Sequence, residues 1–171
     1  PYLWHRGRRR VDLVIVSHED SDHSGGLDSL SDVVTIDKYL LGPGFLGSAR
    51  TARVSVSDKQ VRYQTCLAGQ SWQWQLSGME TLHIDVIWPS KMGPKEGNDS
   101  SCVLLLSWGD QKILLSGDIE AGAERLILKA GALPDTPITA LVAPHHGSKT
   151  SSLRGFVAAT KPKHVIFSSG F

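Results

Sequence analysis

The sequence is poor in the features that most quickly assign a protein to a class. Its two cysteines, Cys66 and Cys102, are too few and too far apart for a paired-cysteine zinc site, and they could be free thiols or one disulfide. No apolar run approaches the roughly 20 residues that a membrane span needs. The formal net charge is +1, so charge alone favours neither nucleic acid nor a membrane surface as a partner.

The composition is that of an ordinary globular chain. Its 171 residues are 40% hydrophobic and 20% charged, which predicts one domain over residues 1–171 with its own core. The chain begins at Pro1 instead of methionine and stops at Phe171, so we expect a fragment of a longer protein. Strand-like segments are expected in antiparallel pairs first and in alternation with helices later. This order predicts a layered α/β fold with helices outside packed sheets.

Four metal-ligand residues follow the first strand-like segment. The apolar run over 11–16 predicts a buried strand, and it is followed by His18, Asp20, Asp22 and His23. An extended backbone places His18 and Asp20 on one side, and the next two residues fall where a helix would begin. Imidazole and carboxylate together suit a divalent cation such as Zn²⁺ or Mn²⁺. A polar loop with incidental histidines is the alternative, but four such residues in six favour a metal site.

Two later strands also end in residues of this kind. Asp118 follows one of them, and His145 and His146 follow a strand predicted over 138–142. Taken alone, Asp118 would be the N-cap of a helix predicted over 120–130. Because the carboxyl ends of strands converge in open α/β sheets, we expect all three segments to meet. An aspartate between two ions is the arrangement that a paired-metal hydrolase needs.

These motifs resemble a known family. The His-x-Asp-x-Asp-His run with its following Gly-Gly, the later Ser-Gly-Asp and the Pro-His-His-Gly-Ser segment resemble the metallo-β-lactamase superfamily. Within it they are similar to the C-terminal domain of the ComEC family of DNA-uptake channel proteins, because Asp20 replaces the usual second histidine. The resemblance implies an αββα sandwich, truncated here at both ends, with a metal site at the sheet edges.

The resemblance also implies a ligand set and a substrate-contacting set. Carried over residue by residue, the metal ligands would be His18, Asp20, Asp22, His23, Asp118 and one of His145 and His146. Asn98 stands about where many members have a further ligand histidine, and it is expected to contact substrate together with Ser148 and Lys149. One or two ions are expected, and replacing histidine by carboxylate and amide favours Mn²⁺ more than a histidine-rich site would.

The activity expected from the resemblance is that of a metal-dependent deoxyribonuclease. It would degrade the non-transported strand during natural-competence DNA uptake, with Asp22 and His145 as catalytic residues. Its partners would be single-stranded DNA and the membrane channel of the same protein, at the extracytoplasmic face of the bacterial cytoplasmic membrane. Two alternatives stay open. One is a hydrolase of another ester, and the other is a DNA-binding or assembly module with weak catalysis.

Overall fold

The structure is a computed structural model that describes residues 2–46, 62–75, 78 and 80–169. The helices are α1 (Tyr2–His5), α2 (Ser21–Ser24), α3 (Leu27–Ser31), α4 (Ala121–Ala130) and α5 (Arg154–Thr160). The strands are β1 (Arg10–Val11), β2 (Val14–Val16), β3 (Thr35–Ile36), β4 (Lys38–Leu41), β5 (Arg62–Thr65), β6 (Ser71–Gln75), β7 (Thr81–Trp88), β8 (Val103–Trp108), β9 (Gln111–Leu115), β10 (Ala140–Val142) and β11 (His164–Ile166). Within these ranges, no helix is both long and apolar enough to cross a membrane.

The larger sheet has six strands in the order β11-β10-β9-β8-β7-β6. Its first three strands are parallel, and the pairs from β9 to β6 are antiparallel. Since β9 and β10 run in the same direction, their carboxyl ends meet at one edge of the sheet. The segments that follow them, which contain Asp118 and His146, therefore begin at the same edge.

The smaller sheet has the order β2-β4-β5, and β1 pairs separately with β3. All of these pairs are parallel, so the antiparallel pairing expected before the helices begin to alternate holds for β6 to β9 but not for β1 to β5. The strand predicted over 11–16 divides into β1 and β2 because the exposed Asp12 interrupts it. The ligand loop begins directly after β2.

Three apolar layers hold the elements together. On β8, Val103 and Leu105 pack towards α4 and α5, whereas Leu104 packs towards the smaller sheet. On β4, Leu40 enters the same middle layer, and its neighbours Tyr39 and Leu41 face the short helices. Both strands follow the two-residue period of a sheet that is buried on two faces. The order of layers is helix, sheet, sheet, helix, which confirms the αββα sandwich.

A disulfide joins the two sheets, which answers the open question about the cysteines. Cys66 follows β5 and Cys102 precedes β8, with their Cα atoms 5.8 Å apart and both side chains buried. The backbone N–H of Cys102 donates to the carbonyl oxygen of Ser17 at 2.8 Å. The covalent link between the sheets therefore lies directly beside the start of the ligand loop.

The start of α4 differs from the sequence-based expectation. The N-cap is Glu120, and the helix begins at Ala121, so Asp118 is not the cap. Asp118 lies two residues before the cap and is buried at the sheet edge. The end of the helix is as expected, because Gly131 adopts the left-handed conformation (φ 61°) that favours glycine.

Candidate metal centre

Four ligand-type side chains from three strand ends converge at the sheet edge. Asp22, His23, Asp118 and His146 each offer an atom within 4.8 Å of the others. Nε2 of His23 lies 3.2 Å from Oδ1 of Asp118, and Nε2 of His146 lies 3.3 Å from its Oδ2. Oδ2 of Asp22 is 3.4 Å from Nε2 of His146. Asp118 therefore stands between the two imidazoles, and two nitrogens with two carboxylates form a donor set suited to Zn²⁺ or Mn²⁺.

The other two predicted ligands lie beside this group. Nε2 of His18 is 3.5 Å from Oδ2 of Asp20, and the rings of His18 and His23 are 4.3 Å apart. His18 is fully buried, and its Nε2 has no hydrogen-bond partner among the described residues. A buried polar atom without a partner is costly unless something else satisfies it. The residues therefore fit a second ion position built from His18 and Asp20.

The histidines of the centre are held by their Nδ1 atoms. Nδ1 of His146 donates to the carbonyl oxygen of Ser168 at 2.6 Å, which leaves the lone pair on Nε2. Nδ1 of His23 lies 3.2 Å from Oγ of Ser17. Metal-binding histidines characteristically use the second ring nitrogen in this way, since the hydrogen bond fixes both tautomer and ring orientation.

Burial and neighbouring charge also change the titration of two site residues. Desolvation lowers the pKa of His18, and the nearby His23 lowers it further, so its imidazole favours the neutral form that binds metal. At Asp22, desolvation favours the protonated carboxyl. That effect is outweighed by a hydrogen bond from its own backbone N–H and by the neighbouring His23 and His146, so the pKa of Asp22 is lowered. Both shifts favour the protonation states that a cation requires.

The structure distinguishes between His145 and His146. Nδ1 of His145 lies 3.0 Å from Oε1 of Glu120 and 3.2 Å from Oγ1 of Thr150, and His145 is not a member of the four-residue group. Both histidines have left-handed backbone angles, with φ of 47° and 55°. Such angles are rare outside glycine and cluster at functional sites. This strained turn directs consecutive imidazoles to different partners.

Two of the three predicted substrate-contacting residues, Asn98 and Ser148, lie near Glu120. Nδ2 of Asn98 donates to Oε1 of Glu120 at 3.4 Å, which places Asn98 outside the four-residue group. Oγ of Ser148 is 3.1 Å from Oγ1 of Thr150, which in turn donates to Glu120 at 2.9 Å. Lys149 is exposed. Glu120, Thr150 and Ser17 were not singled out from the sequence, because no local spacing marks them.

A cavity of 260 Å³ opens beside the four-residue group. Its polar wall includes His23, Asp118 and His146, and its apolar wall comes from the strands of both sheets. The size is close to the lower end of small-molecule pockets.

Comparison with known proteins agrees with this architecture. The family model described as the metallo-β-lactamase superfamily matches residues 1–170. The chain belongs to that superfamily. Its ligand run after β2, its buried Asp118 and its paired histidines are thus placed within a family of metal-binding hydrolases.

The expected similarity to ComEC-type proteins is also confirmed. The chain is 33% identical over 172 residues to "Competence protein ComA" of Neisseria gonorrhoeae, covering 100% of this chain and 22% of that protein. It is 31% identical over 171 residues to "Recombination protein 2" of Haemophilus influenzae, covering 99% and 19%. It is 35% identical over 170 residues to "Uncharacterized protein YcaI" of Escherichia coli, covering 99% and 20%. The chain thus spans about a fifth of the length of these relatives.

Among solved structures, the chain is similar to the E377D mutant of the CmlA β-hydroxylase. The TM-score is 0.57 with 14% identity, over 95% of this chain and 37% of that one. CmlA from Streptomyces venezuelae, described as a diiron β-hydroxylase, gives a TM-score of 0.51 with 13% identity, over 95% and 36%. At these identities the likeness concerns the fold alone, and it agrees with the layers described above.

Proposed function

We propose that residues 1–171 form one nuclease domain of a larger DNA-uptake protein, which hydrolyses phosphodiester bonds of the non-transported strand. The convergence of Asp22, His23, Asp118 and His146 carries this proposal, because it provides a candidate metal centre beside a cavity. The names of two relatives, a competence protein and a recombination protein, support DNA as the substrate.

Each site residue has a role in this mechanism. His23, Asp118, His146 and Asp22 would hold one ion, and His18 with Asp20 would hold a second. One or two Mn²⁺ or Zn²⁺ ions would neutralise the phosphate and lower the pKa of an attacking water. Asp22 would orient that water.

A second set of residues would act on the substrate. A protonated His145 would donate the Nε2 proton to the leaving oxygen, since its Nδ1 contacts Glu120. Asn98, Ser148 and Lys149 would contact the strand. Lys149, as an exposed cation, is the member of this set suited to a phosphate.

The proposed place of the domain is the extracytoplasmic face of the bacterial cytoplasmic membrane, next to the channel part of the same protein. The Cys66–Cys102 disulfide supports this location, because disulfides persist mainly in oxidising compartments. Single-stranded DNA is the substrate form proposed there.

The test is cleavage of labelled single- and double-stranded DNA with added Mn²⁺ or Zn²⁺, compared between wild type and Asp22→Ala. We expect metal-dependent cleavage that falls in the variant, whereas Asp110→Ala, in an exposed turn, should keep wild-type activity. Equal activity in wild type and Asp22→Ala would refute the assignment.

The same preparation separates the alternatives. Turnover of lactone or phosphodiester lipid substrates without DNA cleavage would identify another hydrolase. DNA affinity that persists in chelator, with no turnover under either metal, would identify a binding module.

A further inference from the structure

Two serine hydroxyls lie behind the imidazoles of the candidate centre. Oγ of Ser17 is 3.1 Å from Nδ1 of His18 and 3.2 Å from Nδ1 of His23. Oγ of Ser101 is 3.3 Å from Nδ1 of His18 and accepts a hydrogen bond from the backbone N–H of Asp118 at 3.0 Å. Each hydroxyl therefore contacts two of the residues that converge at the sheet edge.

The hydrogen-bonding capacity of a hydroxyl suits this position. A neutral imidazole that offers the lone pair of Nε2 to a cation carries its proton on Nδ1. That proton needs an acceptor, and a hydroxyl oxygen has two acceptor lone pairs. Ser101 can accept from the backbone N–H of Asp118 and from His18 at once. Ser17 can accept from His23, and it shares the single Nδ1 proton of His18 with Ser101.

We propose that Ser17 and Ser101 are positioning residues that fix the Nε2-outward orientation of His18 and His23 and couple the two ion positions. Ser17 contacts one histidine from each position, and Ser101 links His18 to the aspartate between them. This inference rests on the proposed function in that it presupposes a metal at the centre. Neither serine belongs to the four-residue group.

The packing around the hydroxyls leaves room only for glycine at position 117. A Cβ atom there would lie 2.8 Å from Cβ of Ser101, which is closer than real contacts allow, and 3.0 Å from Cβ of Ser17, which is tighter than most of them. Gly117 also has a φ of 55°, which disfavours other residues. The backbone after β9 thus approaches the serines closely enough for the Asp118 N–H to reach Ser101.

The experiment compares Ser101→Ala with Ser100→Ala. Both serines are fully buried, but the hydroxyl of Ser100 donates to the carbonyl oxygen of Gly97 at 2.7 Å and is not among the contacts of the site histidines. Equilibrium dialysis with Mn²⁺ or Zn²⁺, followed by elemental analysis, measures affinity and stoichiometry. We expect Ser101→Ala and Ser17→Ala to weaken binding by roughly 10- to 100-fold, and Ser100→Ala to leave it unchanged.

A second readout separates orientation from stability. Imidazole ¹⁵N NMR of the metal-free protein should show the Nδ1–H tautomer of His18 in wild type and in Ser100→Ala, and a tautomer mixture in Ser101→Ala. Thermal unfolding of the same proteins controls for a general loss of structure. Ser17→Ala, at a partly exposed position, replaces Ser101→Ala if the buried variant does not fold.

The outcomes distinguish the two proposals. Metal binding by wild type with equal affinity in Ser101→Ala, Ser17→Ala and Ser100→Ala would overturn the positioning role and leave the metal centre standing. Absence of binding by wild type would overturn the metal centre and this inference with it.

Discussion

The ligands of the candidate centre lie on two supports of different rigidity. Asp118 and His146 follow β9 and β10 of the six-stranded sheet, and the side chain of Asp118 is only 7% exposed. Asp20 follows β2, a strand of three residues, and Asp22 lies in the one-turn helix α2 that comes next; their side chains are 54% and 62% exposed. One side of the centre is thus fixed by the fold, whereas the carboxylates of the other are free to adjust when an ion binds.

Within this segment after β2, the two histidines differ from the two carboxylates in their burial. His18 is buried and His23 is 19% exposed, and both Nδ1 atoms contact serine hydroxyls. The nitrogen donors are therefore oriented before metal arrives. We infer that ion affinity depends most on the fixed donors and less on the exposed aspartates, and the variants below test this difference.

The largest effect is expected for Asp118→Ala. Asp118 is buried between two imidazoles, so its loss removes the carboxylate that contacts both His23 and His146. We expect metal affinity to fall by about 10³-fold, beyond the roughly 10- to 100-fold cost of an outer partner. Dialysis with Mn²⁺ or Zn²⁺ measures this fall.

A comparison with Asp22→Ala sharpens that prediction. The metal affinity of Asp22→Ala should fall less than that of Asp118→Ala, because an exposed carboxylate is more easily replaced by water. The exposed Asp110→Ala variant serves as the control. Equal losses at Asp22 and Asp118 would contradict the difference between the two supports.

The next prediction concerns the disulfide, which links the sheet that precedes Asp20 and Asp22 to the sheet that precedes Asp118 and His146. The bond closes a sequence separation of 36 residues, and chain-entropy arguments give a loss of about 3–4 kcal/mol in unfolding free energy for Cys66→Ala with Cys102→Ala. Urea unfolding of the double variant and of reduced wild type measures this loss. The double variant should not respond to a phosphine reductant, and wild type should. Unchanged stability in both would show that packing alone holds the sheets together.

Gly117→Ala is expected to cost about 1–3 kcal/mol, because alanine must adopt a left-handed backbone against Ser101. Metal affinity should fall with stability, since both serine hydroxyls are displaced. The control is Gly131→Ala, which carries the same left-handed backbone with open space around the added Cβ and lies away from the site. Equal metal affinities in the two variants would count against the close approach at Gly117.

The smallest effect concerns Tyr39 on the smaller sheet. Burial raises its pKa, so its contribution to stability is complete below the unfolded-state value near 10 and is lost as pH rises above it. The free energy of unfolding should fall by up to about 1.4 kcal/mol per pH unit in that window. Tyr39→Phe keeps a ring to stack on Tyr63, whose ring centroid is 5.4 Å away, and should reduce the alkaline loss. Identical pH profiles would refute this assignment.

Much of the centre could be predicted from the sequence. His18, Asp20, Asp22, His23 and Asp118 stand out because they directly follow apolar β-forming runs, and strand ends converge in layered α/β folds. The αββα layering followed from the family motifs. Predictions that depended on local pattern alone were weaker, as the parallel pairing of β2, β4 and β5 and the N-cap of α4 show.

The sequence by itself determined which residue types reach the sheet edge, because strand periodicity and strand termination are local properties. Only the tertiary structure decided that His146 and not His145 joins the group. His23 and His146 are 123 residues apart, and the left-handed backbone at 145 and 146 directs His145 towards Glu120. It also decided the disulfide and the contact of Ser101 with His18, across 36 and 83 residues. Contacts at such separations depend on how the layers pack, and no spacing along the chain encodes them.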